Sequence, residues 1–180
     1  MDFIGLKKII KTKDSSNMPK VQLALLGNCA TQLLATAIRG TGIDCGLNLE
    51  VFDADYNQIL EQTLDSSSEL YQSNPQFILI QMCSEKLFEE YCEMPLNQRT
   101  FFAKNIMQSI TQYWDSISQN CSARILQFDF VEIDDAVFGN YGLKISSSFI
   151  SQIRRLNVML MDEAETRKNV FLINLIQHIF

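Results

Sequence analysis

The chain has 180 residues, of which 47% are hydrophobic and 20% charged, the composition of an ordinary globular domain with a substantial core. A formal net charge of −6 and a sequence pI near 4.8 argue against a nucleic-acid partner, which requires a basic face to neutralise phosphates. No apolar run reaches the roughly 18 residues of a membrane span, and the N-terminal apolar stretch is too short and interrupted to be a signal-peptide core.

Residues 3–10 read as a helical lead-in that packs on the domain. A basic amphipathic helix on a membrane surface is the alternative, with Lys7 and Lys8 on its polar face. Residues 11–20 form a polar linker ending in Pro19-Lys20, so the domain proper is 21–180. Residues 21–26 are a nearly continuous apolar run, as expected of a strand buried on both faces, and Gly27 breaks it. Leu33, Leu34, Ala37 and Ile38 recur at helical spacing, and Gly40 is expected to stop that helix. Residues 47–53 read as the second strand, followed by a short helix carrying Tyr56, Ile59, Leu60 and Leu64 and by a loop at 65–68. Asn74-Pro75 introduces the third strand at 77–80, and 84–93 form a helix ended near Pro95. The clearest helix is 97–119, where Phe102, Ile106, Ile110, Tyr113 and Ile117 step by fours and threes. The fourth strand is 124–128 and a long loop spans 129–145. Phe149, Ile153, Leu156, Leu160 and Ala164 form a last helical stripe, and the fifth strand is 170–173.

Strands alternating with helices predict a three-layer α/β fold, a five-stranded parallel sheet of order 2-1-3-4-5. In such a flavodoxin-like sheet a ligand sits beyond the carboxyl ends of strands 1 and 3, where the winding reverses. Gly27, Asn28 and Cys29 follow strand 1, Asp53 and Asp55 follow strand 2, and Met82, Cys83 and Ser84 follow strand 3, with Asp129 and Asn174 after strands 4 and 5. Cys29 near a helix start is a candidate nucleophile, because free N–H groups and the helix dipole lower a thiol pKa there; a small buried cysteine is the alternative. Asn28 reads equally as an N-cap. Asp53 and Asp55 read as bases, metal ligands or caps, Asp134-Asp135 as solvated charge, and His178, the single histidine, fits no triad spacing. The five cysteines, Cys29, Cys45, Cys83, Cys92 and Cys121, are odd in number and lack a Cys-x-x-Cys pair. That argues against disulfides and a zinc site and for a reduced, cytoplasmic protein, with no metal or cofactor expected.

The block from Val21 through Gly27-Asn28-Cys29-Ala30-Thr31 to Leu34 resembles the opening of FkbH-like proteins, whose N-terminal domain is a relative of the SGNH (GDSL-type) hydrolases. Phe52-Asp53-Ala54-Asp55-Tyr56-Asn57-Gln58-Ile59, Ser68-Glu69-Leu70-Tyr71, the stretch from Glu132 to Tyr141, and Leu156-Asn157 fit the same pattern in the same order. The resemblance implies an SGNH-like fold with its cleft at Gly27, Asn28, Ala30, Asp53, Asp55, Asn57, Cys83 and Ser84. It implies that Cys29 holds the position of the hydrolase serine, and Asn28 that of a common Asp. The superfamily's oxyanion Gly would fall near Ala54 to Asn57, its Asn near Met82 to Ser84, and its Asp-x-x-His block beyond strand 5; none is found before Phe180. In the family a HAD-type phosphatase domain follows, and some members load a glyceryl group onto an acyl carrier protein. The expectation is an N-terminal domain, cut short and lacking the HAD part, whose degenerate cleft docks substrate, an acyl carrier protein or the HAD domain. An ester or thioester hydrolase or acyltransferase using Cys29 is the alternative, and an oligomerisation module a third.

Overall fold

The computed structural model describes residues 1–133 and 137–175. Their strands are β1 (Lys20–Gly27), β2 (Asn48–Asp53), β3 (Phe77–Gln81), β4 (Arg124–Phe128) and β5 (Val170–Ile173). Their α-helices are α1 (Phe3–Thr12), α2 (Gln32–Asp44), α3 (Ile59–Leu64), α4 (Glu69–Gln72), α5 (Ser84–Glu93), α6 (Phe102–Asn120) and α7 (Phe149–Glu165). The sheet is wholly parallel in the order β2-β1-β3-β4-β5. The sequence expectation of a three-layer α/β fold with this strand order holds.

Side chains of a strand alternate between faces, and the two cores follow that period of two. Ala24, Leu26, Ile78, Ile80 and Ile125 face the larger core, filled from α3 to α7 by residues including Ile59, Leu70, Leu87, Ile110, Trp114, Ile117, Phe149 and Leu156. Leu23, Leu25 and Leu79 face the smaller one, beneath Ala35 of α2. Leu25 and Leu26 are both fully buried, which is why β1 reads as a continuous apolar run rather than an alternating one. The order reverses at β1, so right-handed crossovers place α2 on one face and the later helices on the other. Each fully buried aliphatic or aromatic side chain contributes about 1.5–3 kcal/mol to the fold. Phe88, Tyr91, Phe102 and Phe149 pack as an aromatic cluster joining α5, α6 and α7, with ring centroids 4.9–6.3 Å apart.

The N-terminal lead-in is α1, capped by Asp2, whose carboxylate accepts from Gly5 N at 2.8 Å, and it packs against α2. Gly40 does not stop α2, which runs on to Asp44. It is buried where α1 crosses, and a Cβ there would lie 2.8 Å from Leu6 Cβ and 3.1 Å from Leu6 Cα. The stop is one turn later, at Gly46, whose φ of +82° suits glycine. Leu47 N donates to Gly42 O at 2.8 Å and Gly46 N to Ile43 O at 3.2 Å, the paired bonds of a Schellman end. Three further boundaries differ from the sequence reading. Residues 69–72 form the short helix α4, the predicted helix at 97–119 opens with a 3-10 turn over Leu96–Phe101, and the 129–145 loop holds another over Gly139–Lys144. Asp134, Asp135 and His178 lie outside the described residues.

Gly40→Ala should destabilise the chain despite alanine's better helix propensity. The gain is about 1 kcal/mol, whereas overpacking against the α1 backbone costs about 1–3 kcal/mol. A lower urea midpoint with faster proteolytic release of α1 is expected; an unchanged midpoint would show that α1 gives way freely.

Candidate functional site

The candidate site lies where β1 and β3 end side by side, with Gly27 in register with Gln81. A Cβ on Gly27 would meet the Thr31 methyl at 2.5 Å, so the turn packs tightly only without one. Asn28 N donates to Gln81 O at 3.2 Å, and Asn28 Oδ1 accepts from Cys83 N at 2.8 Å. Asn28 is therefore not the N-cap of α2, a position that Thr31 holds without a side-chain cap bond. Its side chain instead ties the turn after β1 to the start of α5, where Cys83 is the N-cap. Asn28 is 6% exposed, and its Nδ2 has no hydrogen-bond partner.

Asp53 accepts from the buried Thr31 hydroxyl at 2.6 Å, linking the ends of β1 and β2. Neither Asp53 nor Asp55 caps α3, whose N-cap is Gln58; Asp55 and Ala30 are exposed, and Ser84 is buried at the start of α5. Asn57 occupies the region where the resemblance placed an oxyanion glycine, and its φ of +60° is a conformation that glycine takes freely. Its N–H, however, donates to Gly27 O at 3.1 Å and is not offered to a ligand. Asp129 accepts from Leu175 N at 2.8 Å after β4. Among the described residues no three His, Cys, Asp or Glu side chains assemble as a metal-ligand group.

Cys29 is half-buried, and all five cysteines are free. The expectation of a lowered thiol pKa is corrected. Burial first, then the neighbouring Cys83 thiol and the Glu85 carboxylate, push the Cys29 thiol up to about 11. The dipole effect fades beyond a helix's first turn, and α2 begins only at Gln32.

The space beside the turn is a polar cavity of about 230 Å³ between α3, α5 and α6. Asn28 and Asn57 line it with Glu61, Glu90 and Tyr113, and Ile59, Leu60 and Met82 supply its apolar wall. An adjoining cavity of about 200 Å³ shares Asn28, Asn57 and Glu90 and is bordered by Tyr56, Lys86, Glu89 and Glu93. Lys86 is paired with Glu89 at 2.6 Å. Burial, then the Glu93 carboxylate, push Glu90 up from its ordinary value. Burial, then Glu90 and Glu61, push the Tyr113 phenol up. A larger apolar groove of about 470 Å³ runs between α2 and β2, lined by residues such as Leu34, Ile38 and Leu49, but it offers no charged group.

Sequence reasoning located Asn28, Met82 and Cys83 at the strand ends, and the resemblance added Asn57, but Glu61, Glu90 and Tyr113 were missed. Tyr113 was assigned to the core stripe of α6. The fully buried residue there is Trp114, so Tyr113 flanks the core and borders the cavity. A phenol amid aliphatic positions was the available signal. Asn157, in one of the blocks that carry the resemblance, clamps the chain after β4, accepting from Phe130 N at 2.9 Å and donating to Phe130 O at 2.8 Å.

Comparison with known proteins places the family and the fold. The family model for the FkbH N-terminal domain matches residues 22–180. A solved structure, the N-terminal part of the protein BF1531 from Bacteroides fragilis, described as containing a phosphatase domain complexed with Mg, is 34% identical with a TM-score of 0.91. The match covers 99% of the present chain and 46% of that one, so the present chain spans less than half of its length. No curated protein matches the sequence.

Two outcomes test the site's electrostatics. A thiol raised from 9.0 to about 11 holds about 100-fold less thiolate at neutral pH, partly offset by about tenfold greater nucleophilicity. Iodoacetamide should therefore label Cys29 at least about tenfold more slowly than the exposed Cys45 and Cys92, as peptide mass spectrometry would measure; equal rates would refute the raised pKa. Glu90 has a folded-state pKa above its ordinary 4.5, so its charged form is disfavoured by folding and its penalty is present at neutral pH and absent below 4.5. Glu90→Gln should raise the urea midpoint at neutral pH and leave it unchanged in acid below 4.5.

Proposed function

The chain belongs to the FkbH N-terminal domain family, and from that premise we propose that it is a degenerate SGNH-hydrolase-like domain that binds rather than cleaves. Its cleft receives substrate or a group borne on an acyl carrier protein, in the service of a phosphatase and acyl-transfer domain of the kind the family carries. The observation that supports this most directly is the state of the nucleophile position. The Cys29 thiol is held near 11, and the nearby Asp53 carboxylate is engaged by Thr31. The Asn57 N–H is turned to Gly27 O. Nucleophilic catalysis needs an adjacent base and donors aimed at the developing oxyanion; with both compromised, most of a triad's rate advantage is gone. The binding features of the cleft persist beside them: a buried amide with a free donor, two carboxylates and an apolar wall.

The alternative, Cys29 as an acyl-accepting nucleophile, is separated from this reading by turnover. The chain should hydrolyse p-nitrophenyl acetate and a simple acyl thioester no faster than free cysteine. Titrating the 15N-labelled chain with acyl-loaded carrier protein or with the phosphatase part of a relative should shift the amides of Asn28, Asn57 and Cys83. Turnover abolished by Cys29→Ala, or the absence of binding to either partner, would overturn the proposal.

A further inference from the structure

We propose that Cys29 and Cys83 are a dithiol modification site, which a hydroperoxide converts into a disulfide across the crevice between β1 and β3. The inference is independent of what the cleft binds. Cys29 lies in the turn after β1, and Cys83 is the N-cap of α5 after β3. The strands set them side by side. Gly27 is in register with Gln81, and each cysteine lies two residues beyond its member of that pair. The Cys83 N–H donates to Asn28 Oδ1 at 2.8 Å and holds the two turns together. The thiols themselves are hydrogen-bonded to each other. Both are free and only half-buried, so neither is sealed from a small oxidant.

The other cysteines sit on different ground. Cys45 ends α2 and Cys121 ends α6. Cys92 is nine residues along α5 from Cys83, about 13 Å at a rise of about 1.5 Å per residue, beyond the reach of about 7 Å between the Cα atoms of a disulfide. Among the described residues no third His, Cys, Asp or Glu joins Cys29 and Cys83 as a ligand group. The pair is thus short of what a closed metal site requires, and its chemistry is that of two neighbouring thiols. An odd cysteine count without a Cys-x-x-Cys pair does not reveal it, because only the sheet brings these two together.

The order of the steps follows from the site. Burial, Cys83 and Glu85 keep the proton on Cys29, so Cys83 is the sulfur that meets the oxidant. It attacks one peroxide oxygen, the O–O bond breaks, and a sulfenic acid forms. The displaced hydroxide takes up the Cys83 proton and leaves as water. Cys29 then attacks the Cys83 sulfur, an S–S bond forms, and the sulfenic hydroxyl leaves with the Cys29 proton as a second water. Two thiols and one hydrogen peroxide give one disulfide and two waters. A raised pKa slows Cys29 toward reagents in solution. Toward a sulfur already in contact it acts at an effective concentration far above that of any reagent.

The test is peptide mass spectrometry of the full chain after hydrogen peroxide treatment with dimedone present, which traps a sulfenic acid that has no thiol beside it. A Cys29–Cys83 cross-link is expected, with dimedone on the exposed Cys45 and Cys92. Dithiothreitol should restore both thiols. The oxidised chain should have the higher urea midpoint, since the bond closes a loop of more than fifty residues in the unfolded chain. In Cys29→Ala, Cys83 should carry at least about tenfold more dimedone than in the unaltered chain, because the resolving thiol is gone. Dimedone on both Cys29 and Cys83 of the unaltered chain would overturn the inference. So would a cross-link from either to another cysteine, or both thiols left intact once Cys45 and Cys92 have reacted. These three outcomes are read without a substitution and do not depend on a variant folding.

Discussion

Between β1 and β3 the chain changes the direction in which it adds strands, and the helices leaving these two strands depart to opposite faces of the sheet. Their connecting turns cannot pack on one another, so a crevice opens at that point in any parallel sheet of this order. Everything described at the site depends on how this crevice is partly closed. Asn28 closes it with two bonds, one from its backbone N–H to Gln81 and one from its side-chain oxygen to the Cys83 N–H. Asp53 and Thr31 close the opposite flank, between β1 and β2. Topology thus fixes where the crevice is, and a few short polar side chains set how deep it is and which groups reach its floor.

That division explains what could be read from the sequence. The strands were legible because central parallel strands are buried on both faces and must be apolar throughout, as Leu23 to Leu26 are. Their order followed from chirality and short connections, and with it the position of the turn at Gly27. Helix ends were less legible, because a glycine has more than one use. Gly40 and Gly46 carry the same local signal, yet one admits α1 and the other ends α2. Nothing within α2 itself reveals that Leu6 crosses at Gly40.

The chemistry of the site was harder to read, for the same reason of distance along the chain. A cysteine placed just after a strand suggests a thiol activated by the following helix. Here the helix starts at Gln32, and the nearest influences on Cys29 are burial and Cys83, more than fifty positions away in sequence. Both act to keep the proton on sulfur. Glu61, Glu90 and Tyr113 come from three different helices, and each looks like an ordinary helix-surface or stripe residue until the sheet brings them around one cavity. Asn57 shows the converse: its positive φ preserves a glycine-like turn where no glycine stands.

The choice of asparagine at position 28 bears on what the cavity is for. If the side chain served only to hold the turn, aspartate would serve at least as well, since a carboxylate accepts the Cys83 N–H in a stronger, charge-assisted bond. Aspartate would also add a third negative charge to a cavity already lined by Glu61 and Glu90 and would remove the buried amide donor of position 28. Asparagine keeps the structural bond and leaves its Nδ2 buried without a partner, at a cavity also lined by Glu90, whose charged form burial and the Glu93 carboxylate already disfavour. Local violations of this kind lower stability and tend to persist where function uses them. Two acids without an ion pair among the described residues and one enclosed amide donor without a partner lie around the same small volume. A merely structural turn needs neither.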